Sequence, residues 1–505
     1  MAIDVEATGS DPKRDELIEV GLVVFTRDRE LVRYVQTVRP GQPVSRDILR
    51  LTGLTPEELD ASPSFSEIIP VLRQHIGDRI VVGQSVRNDV AMLASAGLDL
   101  RNRQIDTFQL ATALLPDQPN YALSTLSEYF GRPMPVAERH RALLDAEATM
   151  HVFRALLERI DGYDPGTLSQ VAQFARAAGW PEASLFEQAA RSRIDAPLFA
   201  DSDHAAVRAV PPELAFLVPR ERPESLRPTG NTDPIDVDAI VRLLGNEGPL
   251  ARVLERYETR PTQVAMARAV ARALNEEQQL LVEAGTGTGK SLAYLLPAAM
   301  FAMRRGERVV VSTATIALQD QLYRKDLPDV HTALLQAGLP GELRVAVMKG
   351  RQNYLCLKKW FGHVNDPVED EHDAALRAKI LLWLGQTETG DRAELRLTTE
   401  EDRHWRKFAS ERGRCTPSRC PYAASNQCFF HRARHLAANA HIVIVNHSLV
   451  LSNAAEGRVL PTFERLIIDE AHHLEDEATR QLSFVLDRPT VEDAVRALAR
   501  SDGAV

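Results

Sequence analysis

A short apolar run, Leu280, Leu281 and Val282, leads through Glu283 into Ala284–Ser291, AGTGTGKS, and then into the apolar-periodic stretch LAYLLPA. Strand, glycine-rich loop and helix are predicted in that order, the context in which such a loop binds phosphate. Gly285, Gly287 and Gly289 free the backbone to turn amides toward phosphate oxygens without Cβ clashes, with Thr286 and Thr288 between them, and the helix start favours anions. Lys290 is expected to neutralise terminal phosphates and Ser291 to ligate Mg²⁺. The region is therefore committed to an α/β fold that binds ATP with Mg²⁺.

The loop alone is a common pattern, and its partner arrives at 466–472. There the apolar run Leu466, Ile467, Ile468 ends in Asp469, Glu470, Ala471 and His472. An acid at the end of a second strand is expected to hold Mg²⁺ (Asp469), and the next to orient and deprotonate the attacking water (Glu470). These motifs resemble those of superfamily two helicases, as do two others. YETRPTQ at 257–263 is similar to their adenine-recognising motif, with Gln263 as the reader. VVVSTATIALQDQL at 309–322 is similar to motif Ia, which implies that Thr313, Thr315 and Gln319 contact a nucleic-acid strand. Without its neighbours, Gln263 would read as an ordinary helix residue.

Near the start of the chain, four acids and a histidine fall in a telling order. Asp4 and Glu6 lie in DVEATG, Asp89 in SVRND, and His140 and Asp145 in HRALLDAEAT. Phosphodiester cleavage by two divalent ions about 3.5–4 Å apart needs hard oxygen donors, which carboxylates supply to Mg²⁺ or Mn²⁺. The strand period places Asp4 and Glu6 on one face. Asp145 opens an apolar-periodic helix through Met150, Phe153 and Leu157, and His140 before it is expected to be the general base. A lone Asp-x-Glu is usually a solvated strand end and a lone His a surface residue; the ordered set is what points to a nuclease.

Residues 1 to about 165 resemble the DEDDh 3′-to-5′ exonucleases, the family of the polymerase III proofreading subunit. The likeness extends into LIEVGLVVF and RPGQPVSRDILRLTGLTPEEL. It implies a ribonuclease H-like domain with a mixed five-stranded sheet. The second motif departs from the family: its Gly-His-Asn is here Gly83, Gln84, Ser85, leading to Asn88 and Asp89, so the flank that grips the substrate strand differs. Three residues precede Asp4, short for a central strand, and the natural start is expected upstream.

All four cysteines, Cys356, Cys415, Cys420 and Cys428, lie between the phosphate loop and the Asp-Glu-Ala-His motif. Their spacing lacks the Cys-x-x-Cys pairs common in zinc sites, and four thiolates also suit a four-iron four-sulfur cluster. Cluster, zinc and unligated thiols all stand on spacing alone. The insertion point, and KGRQNYLCLKKW around Cys356, resemble the iron–sulfur branch of these helicases, the XPD-like and DinG-type enzymes, which implies the cluster. From Arg403 to His435 eight Lys or Arg face one acid, Glu411, beside Trp405, Tyr422, Phe429 and Phe430. Such an island suits a phosphate backbone with stacked bases, or a solvated basic face over a small core.

A chain of 505 residues with 44% apolar residues is expected to hold several globular domains. A net charge of −10 leaves nucleic-acid binding to local patches. No basic-apolar leader and no run of ~18 apolar residues occur, so a cytoplasmic location without membrane contact is expected, and on the resemblance a bacterial, nucleoid-associated one.

The expected order is exonuclease 1–165, helical segment and proline-rich linker 166–245, RecA-like domain 246–348 with 436–475, cluster insertion 349–435, and the start of an arch-like segment at 476–505. Residues 166–196 read as helical, and seven prolines from Pro197 to Pro234 as a semi-flexible linker. Only 35 residues follow Glu470, too few for a second RecA-like domain, so a fragment of a longer exonuclease–helicase fusion is expected. The expected ligands are two Mg²⁺ or Mn²⁺ ions, ATP with Mg²⁺, a four-iron four-sulfur cluster, and single-stranded DNA or DNA with 3′ ends, RNA being equally compatible. Protein partners are not read from the sequence. The rival is an exonuclease gated by a non-motor nucleic-acid clamp or redox sensor.

Overall fold

The computed structural model describes residues 1–116, 118, 120–135, 140–194, 216, 218, 221–255, 257–339, 341–411, 415–457, 459–483, 491 and 495. The chain divides into two compact units, Met1–Val218 with Tyr354–Ser410, and Pro219–Asn353 with Glu411–Val505. Among the described residues no helix is long and apolar enough to cross a membrane.

In the first unit, strands β1 (Ala2–Ala7), β2 (Leu17–Phe25), β3 (Glu30–Thr37), β4 (Val81–Gly83) and β5 (Gln104–Asp106) form one sheet in the order β3-β2-β1-β4-β5. The β1–β2 and β2–β3 pairs are antiparallel, while β1–β4 and β4–β5 are parallel, giving the mixed five-stranded sheet expected. Helices cover both faces, so β2 is buried from Leu17 to Val24. Ile3 and Val5 pack toward the helix Phe65–Ile76, whose buried Phe65, Ile68, Leu72 and Ile76 follow the helical period behind a Ser64–Glu67 capping box. On the other face Ala2 meets Ala146 and Met150 of the helix Ala142–Asp161. Gly21 makes that approach possible, because a Cβ there would lie 2.2 Å from the Ala142 carbonyl carbon. Gly21 is also the register partner of Asp4, so the helix presses on the sheet beside the first candidate acid.

The stretch expected to be helical holds Pro165–Ala177 and Ala183–Ile194. The expected insertion 349–435 is divided by the structure: residues 354–410 belong to the first unit. The reason is the helix Glu371–Leu384, buried on nearly all sides, which packs against Pro165–Ala177 and Thr107–Leu114. Its buried charges are paired, Arg377 Nη2 with Asp373 Oδ2 and Lys379 Nζ with Glu401 Oε2, both at 2.8 Å.

In the second unit β6 (Val309–Thr313), β7 (Val345–Val347), β8 (Ile442–Asn446) and β9 (Arg465–Ile468) form a parallel sheet in the order β7-β8-β6-β9. The strand predicted before the glycine loop is not formed. Leu281 is 93% exposed, and Leu280 and Val282 are exposed too. A strand persists only where a neighbour takes up its backbone groups, and among the described residues β9 is paired on the β6 side alone.

The proline-rich linker also differs from expectation. Residues 195–215 lie outside the described residues, but 221–234 is fixed: Leu226 N donates to Ala438 O and Thr229 N to Arg305 O, both at 2.8 Å, and Arg222 Nη2 to Ala423 O at 3.0 Å. Of the expected arch-like segment, residues past 483 lie outside the described residues except 491 and 495.

Candidate active sites

Asp4 and Glu6 project from β1 on the side facing the helix Ala142–Asp161. That helix supplies Asp145 from its first turn, and the helix Arg87–Ser95 supplies Asp89. Val5 N donates to Asp89 Oδ1 at 3.3 Å, which ties Asp89 to the strand between the first two acids. His140 has a left-handed backbone, φ 61°, and its amide donates to Asp145 Oδ2 at 3.1 Å. Ligand atoms of Glu6, His140 and Asp145 lie within 4.8 Å of one another. Residues up to 141 positions apart in the chain are thus gathered, with Asp89 and Asp145 buried and His140 exposed.

Among the described residues the electrostatics are those of an acid cluster with few cations. Burial, then the carboxylates of Asp89, Asp145, Glu6 and Glu19, push Asp4 well above the usual range. Burial, followed by Asp145 and Glu19, raises Glu6 to about 8, and burial raises Asp89 to about 7 against the opposing Val5 hydrogen bond. Such a set holds protons or divalent cations. Hard oxygen donors with one imidazole fit Mg²⁺ or Mn²⁺.

Two residues that the sequence reading did not single out organise this cluster. Glu19, fully buried on β2 and opposite Glu6 in register, takes three hydrogen bonds from Arg141, at 2.8 Å from Nη2 and 3.2 Å from Nε to each oxygen. It also accepts from Ala142 N at 2.8 Å, which anchors the helix start that places His140 and Asp145. Arg141, the cation that opposes the acids at Glu6, is therefore committed to Glu19. The signal was present in the adjacency of Arg141 to His140 and in the Glu of LIEVG, but the pairing needed the β1–β2 register.

The second motif is held from behind. Ser85 is left-handed, φ 59°, and its amide donates to Asp106 Oδ1 at 3.0 Å. Asp106 also caps the helix Thr107–Leu114, and its own amide donates to buried Glu182 at 3.0 Å. Gln84 Nε2 donates to Tyr121 O at 2.7 Å, and Thr107 Oγ1 donates to Gln84 Oε1.

In the second unit Gly287 and Gly289 adopt φ 78° and 79°, conformations glycine takes without strain, and Thr288 Oγ1 donates to Gly285 O at 2.8 Å. Gly285 and Thr286 lie in the same loop, directly before the helix Lys290–Arg305. Gln263 is buried, with Nε2 donating to Gly289 O at 2.9 Å, so it braces the loop. Lys290 Nζ lies 2.8 Å from Glu470 Oε1; their hydrogen bond raises the lysine and lowers the carboxyl. Tyr294, also missed by the sequence reading, donates from Oη to Asp469 Oδ2 at 2.9 Å and interacts with Ser291. It stands between the two expected Mg²⁺ ligands.

Of the expected strand contacts, Thr313 and Gln319 are buried and the Thr315 hydroxyl caps the helix Ile316–Gln321. Trp405, Phe429 and Phe430 are buried as well, with Trp405 edge-on to Trp383 and Arg351 over Phe430 at 4.1 Å. These aromatics pack cores and are not stacking platforms. Arg412 and Arg414 lie outside the described residues. Cys356 belongs to the first unit and Cys415, Cys420 and Cys428 to the second; all four are partly exposed. Cys356, Cys420 and Cys428 each stand directly before a helix.

Family models match three regions: Exonuclease over residues 1–153, DEAD/DEAH box helicase over 263–330, and DEAD_2 over 420–491. Among curated proteins the chain is 30% identical over 491 residues to the 3′-5′ exonuclease DinG of Bacillus subtilis (strain 168), covering 95% of this chain and 50% of that protein. It is 25% identical over 506 residues to the protein of the same name from Staphylococcus aureus (strain USA300), covering 99% and 53%. Over 254 residues it is 41% identical to the ATP-dependent helicase DinG of Mycobacterium tuberculosis (strain ATCC 25177 / H37Ra), covering 47% and 38%. The chain spans about half the length of the curated relatives it matches along its whole length. A solved structure of exonuclease X in complex with 5′ overhanging duplex DNA is 21% identical, with a TM-score of 0.27, covering 31% of this chain and 90% of that one. The resemblance read from the motifs holds in both halves: an exonuclease region is followed by helicase regions in one chain.

Proposed function

We propose that this chain, similar along its length to DinG-type proteins, joins a metal-dependent 3′-to-5′ exonuclease to an ATP-binding helicase module that engages single-stranded DNA. The observation that carries the nuclease reading is the gathering of Asp4, Glu6, Asp89 and Asp145 around β1 with His140 at their edge. These acids would hold two Mg²⁺ or Mn²⁺ ions, which when bound polarise the scissile phosphate and stabilise the attacking and leaving oxygens. The protein's own part is to hold the four carboxylates together, where crowding and burial favour protons until divalent cations replace them. It also holds Asp145 and His140 in place through Glu19 and Arg141 and presents the exposed imidazole to take a proton from water.

In the second unit Gly285–Ser291 would cradle the phosphates of ATP, with Lys290 released from Glu470 to meet them and Asp469 and Ser291 on Mg²⁺. Glu470 would then turn to the attacking water.

Cys356, Cys415, Cys420 and Cys428 are read as ligands of a four-iron four-sulfur cluster. Their position between the two ATPase motifs and the resemblance support this. A colourless, zinc-containing preparation would overturn the cluster. The protein is expected in the bacterial cytoplasm, at DNA.

Incubating the purified chain with 5′-labelled single-stranded DNA and Mn²⁺, with and without ATP, tests the proposal. A ladder shortening from the 3′ end that Asp4→Ala and Asp145→Ala abolish supports it; an intact substrate defeats it.

A further inference from the structure

Residues 354–410 form an arm that lies, in sequence, between the two ATPase motifs yet folds into the nuclease unit. Its side chains reach Leu114, Tyr121, Arg159 and Tyr163 of the same unit. Gln386 Nε2 lies 3.3 Å from Leu114 O, 2.6 Å from Tyr163 Oη and 2.9 Å from Leu382 O, and its Oε1 accepts from Arg159 Nη2 at 2.7 Å. Tyr163 Oη in turn donates to Leu382 O at 3.0 Å. Arg396 places its guanidinium over the ring of buried Tyr121, 5.8 Å from the centroid, a cation–π distance. Tyr121 Oη donates to Leu115 O at 2.6 Å, and Tyr121 O receives Gln84 Nε2.

Gln84 stands where the second motif departs from its family, in the flank expected to grip the strand. We infer that Gln386 and Arg396 are positioning residues of the exonuclease, fixing Gln84 and the strand-binding flank through their contacts with Leu114 and Tyr121. The inference rests on the exonuclease reading. A carbonyl that orients a side-chain amide is useful only if its own chain segment is fixed, and here both ends of that segment are held from the arm. Asp89 is held separately by the Val5 amide, so loss of the arm contacts should shift the grip on the strand and spare the acid cluster.

The test uses the full chain with Mn²⁺ and 5′-labelled single-stranded DNA. Gln386→Ala is expected to raise KM about tenfold, the scale of one lost hydrogen bond, and Arg396→Ala about threefold, the scale of an exposed cation–π contact, each with kcat within about twofold of the parent. Gln386→Glu keeps the acceptor for Arg159 but loses the donor and sets a carboxylate against the Leu114 and Leu382 carbonyls, so it should raise KM as Gln386→Ala does. Unchanged KM in both alanine variants, or KM, kcat and melting temperature failing together, would overturn the inference. An inactive parent chain would instead defeat the exonuclease reading itself.

Discussion

Lys290 Nζ lies 2.8 Å from Glu470 Oε1, so the cation expected on the phosphates of ATP and the carboxylate expected on the attacking water neutralise each other. Nucleotide must break this pair to bind. Both side chains are more than a quarter exposed, so the pair is worth about 1 kcal/mol at most. Glu470→Gln should tighten ATP binding up to about fivefold by titration with a fluorescent analogue while abolishing hydrolysis. Weaker binding in Glu470→Gln would show that the pair does not compete with nucleotide.

Tyr294 joins the two expected Mg²⁺ ligands in the same site. Its phenol is kept protonated by burial and by the Asp469 carboxylate. Tyr294→Phe removes one hydrogen bond to a charged group, so affinity for ATP with Mg²⁺ should fall about tenfold. Binding measured in EDTA should not change, and an equal loss with and without Mg²⁺ would assign Tyr294 a purely structural role.

The acid cluster sets a pH signature. Glu6 rises from 4.5 to about 8 and Asp89 from 3.8 to about 7, so the folded chain holds protons that the unfolded chain has released. A raised carboxyl contributes stability that is full below the unfolded value and lost as pH climbs through the folded one. The metal-free protein should therefore melt at falling temperature from about pH 4 to about pH 8. Mn²⁺ should restore the melting point at the upper end, and Asp4→Asn should flatten the profile. A flat profile in the parent chain would contradict the cluster as described.

Removing Arg141 leaves Glu19 buried beside four other acids. Arg141→Met is expected to cost about 3 kcal/mol, or about 6–12 °C in a melt, and to reduce exonuclease activity because only the Ala142 amide bond to Glu19 is left to hold the helix start. Arg141→Met with Glu19→Gln should recover most of the stability, since no uncompensated charge remains. A double variant as unstable as the single one would remove charge as the cause.

The reach of the sequence can be judged residue by residue. Asp4, Glu6, Asp89, His140 and Asp145 were legible because phosphoryl chemistry constrains residue type, and the structure brings them together. Glu19 was not, since it faces Glu6 only through the antiparallel register of β1 and β2. The apolar run before the glycine loop reads as a strand from its composition, but a strand also needs a paired neighbour. Trp405, Phe429 and Phe430 were weighed as base platforms, and their burial could not be read from one basic island. The arm was misplaced for a related reason: the apolar surface of Glu371–Leu384 indicates burial without saying against which domain.

The split of the first unit between residues 1–218 and 354–410 has a consequence for how the chain is made. The two pieces are separated by about 135 residues, and closing so long a loop costs only slightly more than closing a short one, because the entropy grows with the logarithm of its length. Time is the larger matter. At synthesis rates of about 5–20 residues per second, the apolar face of Pro165–Ala177 waits on the order of 10–40 s for the arm to emerge. During that interval the half-made first unit is the form that chaperones and proteases meet.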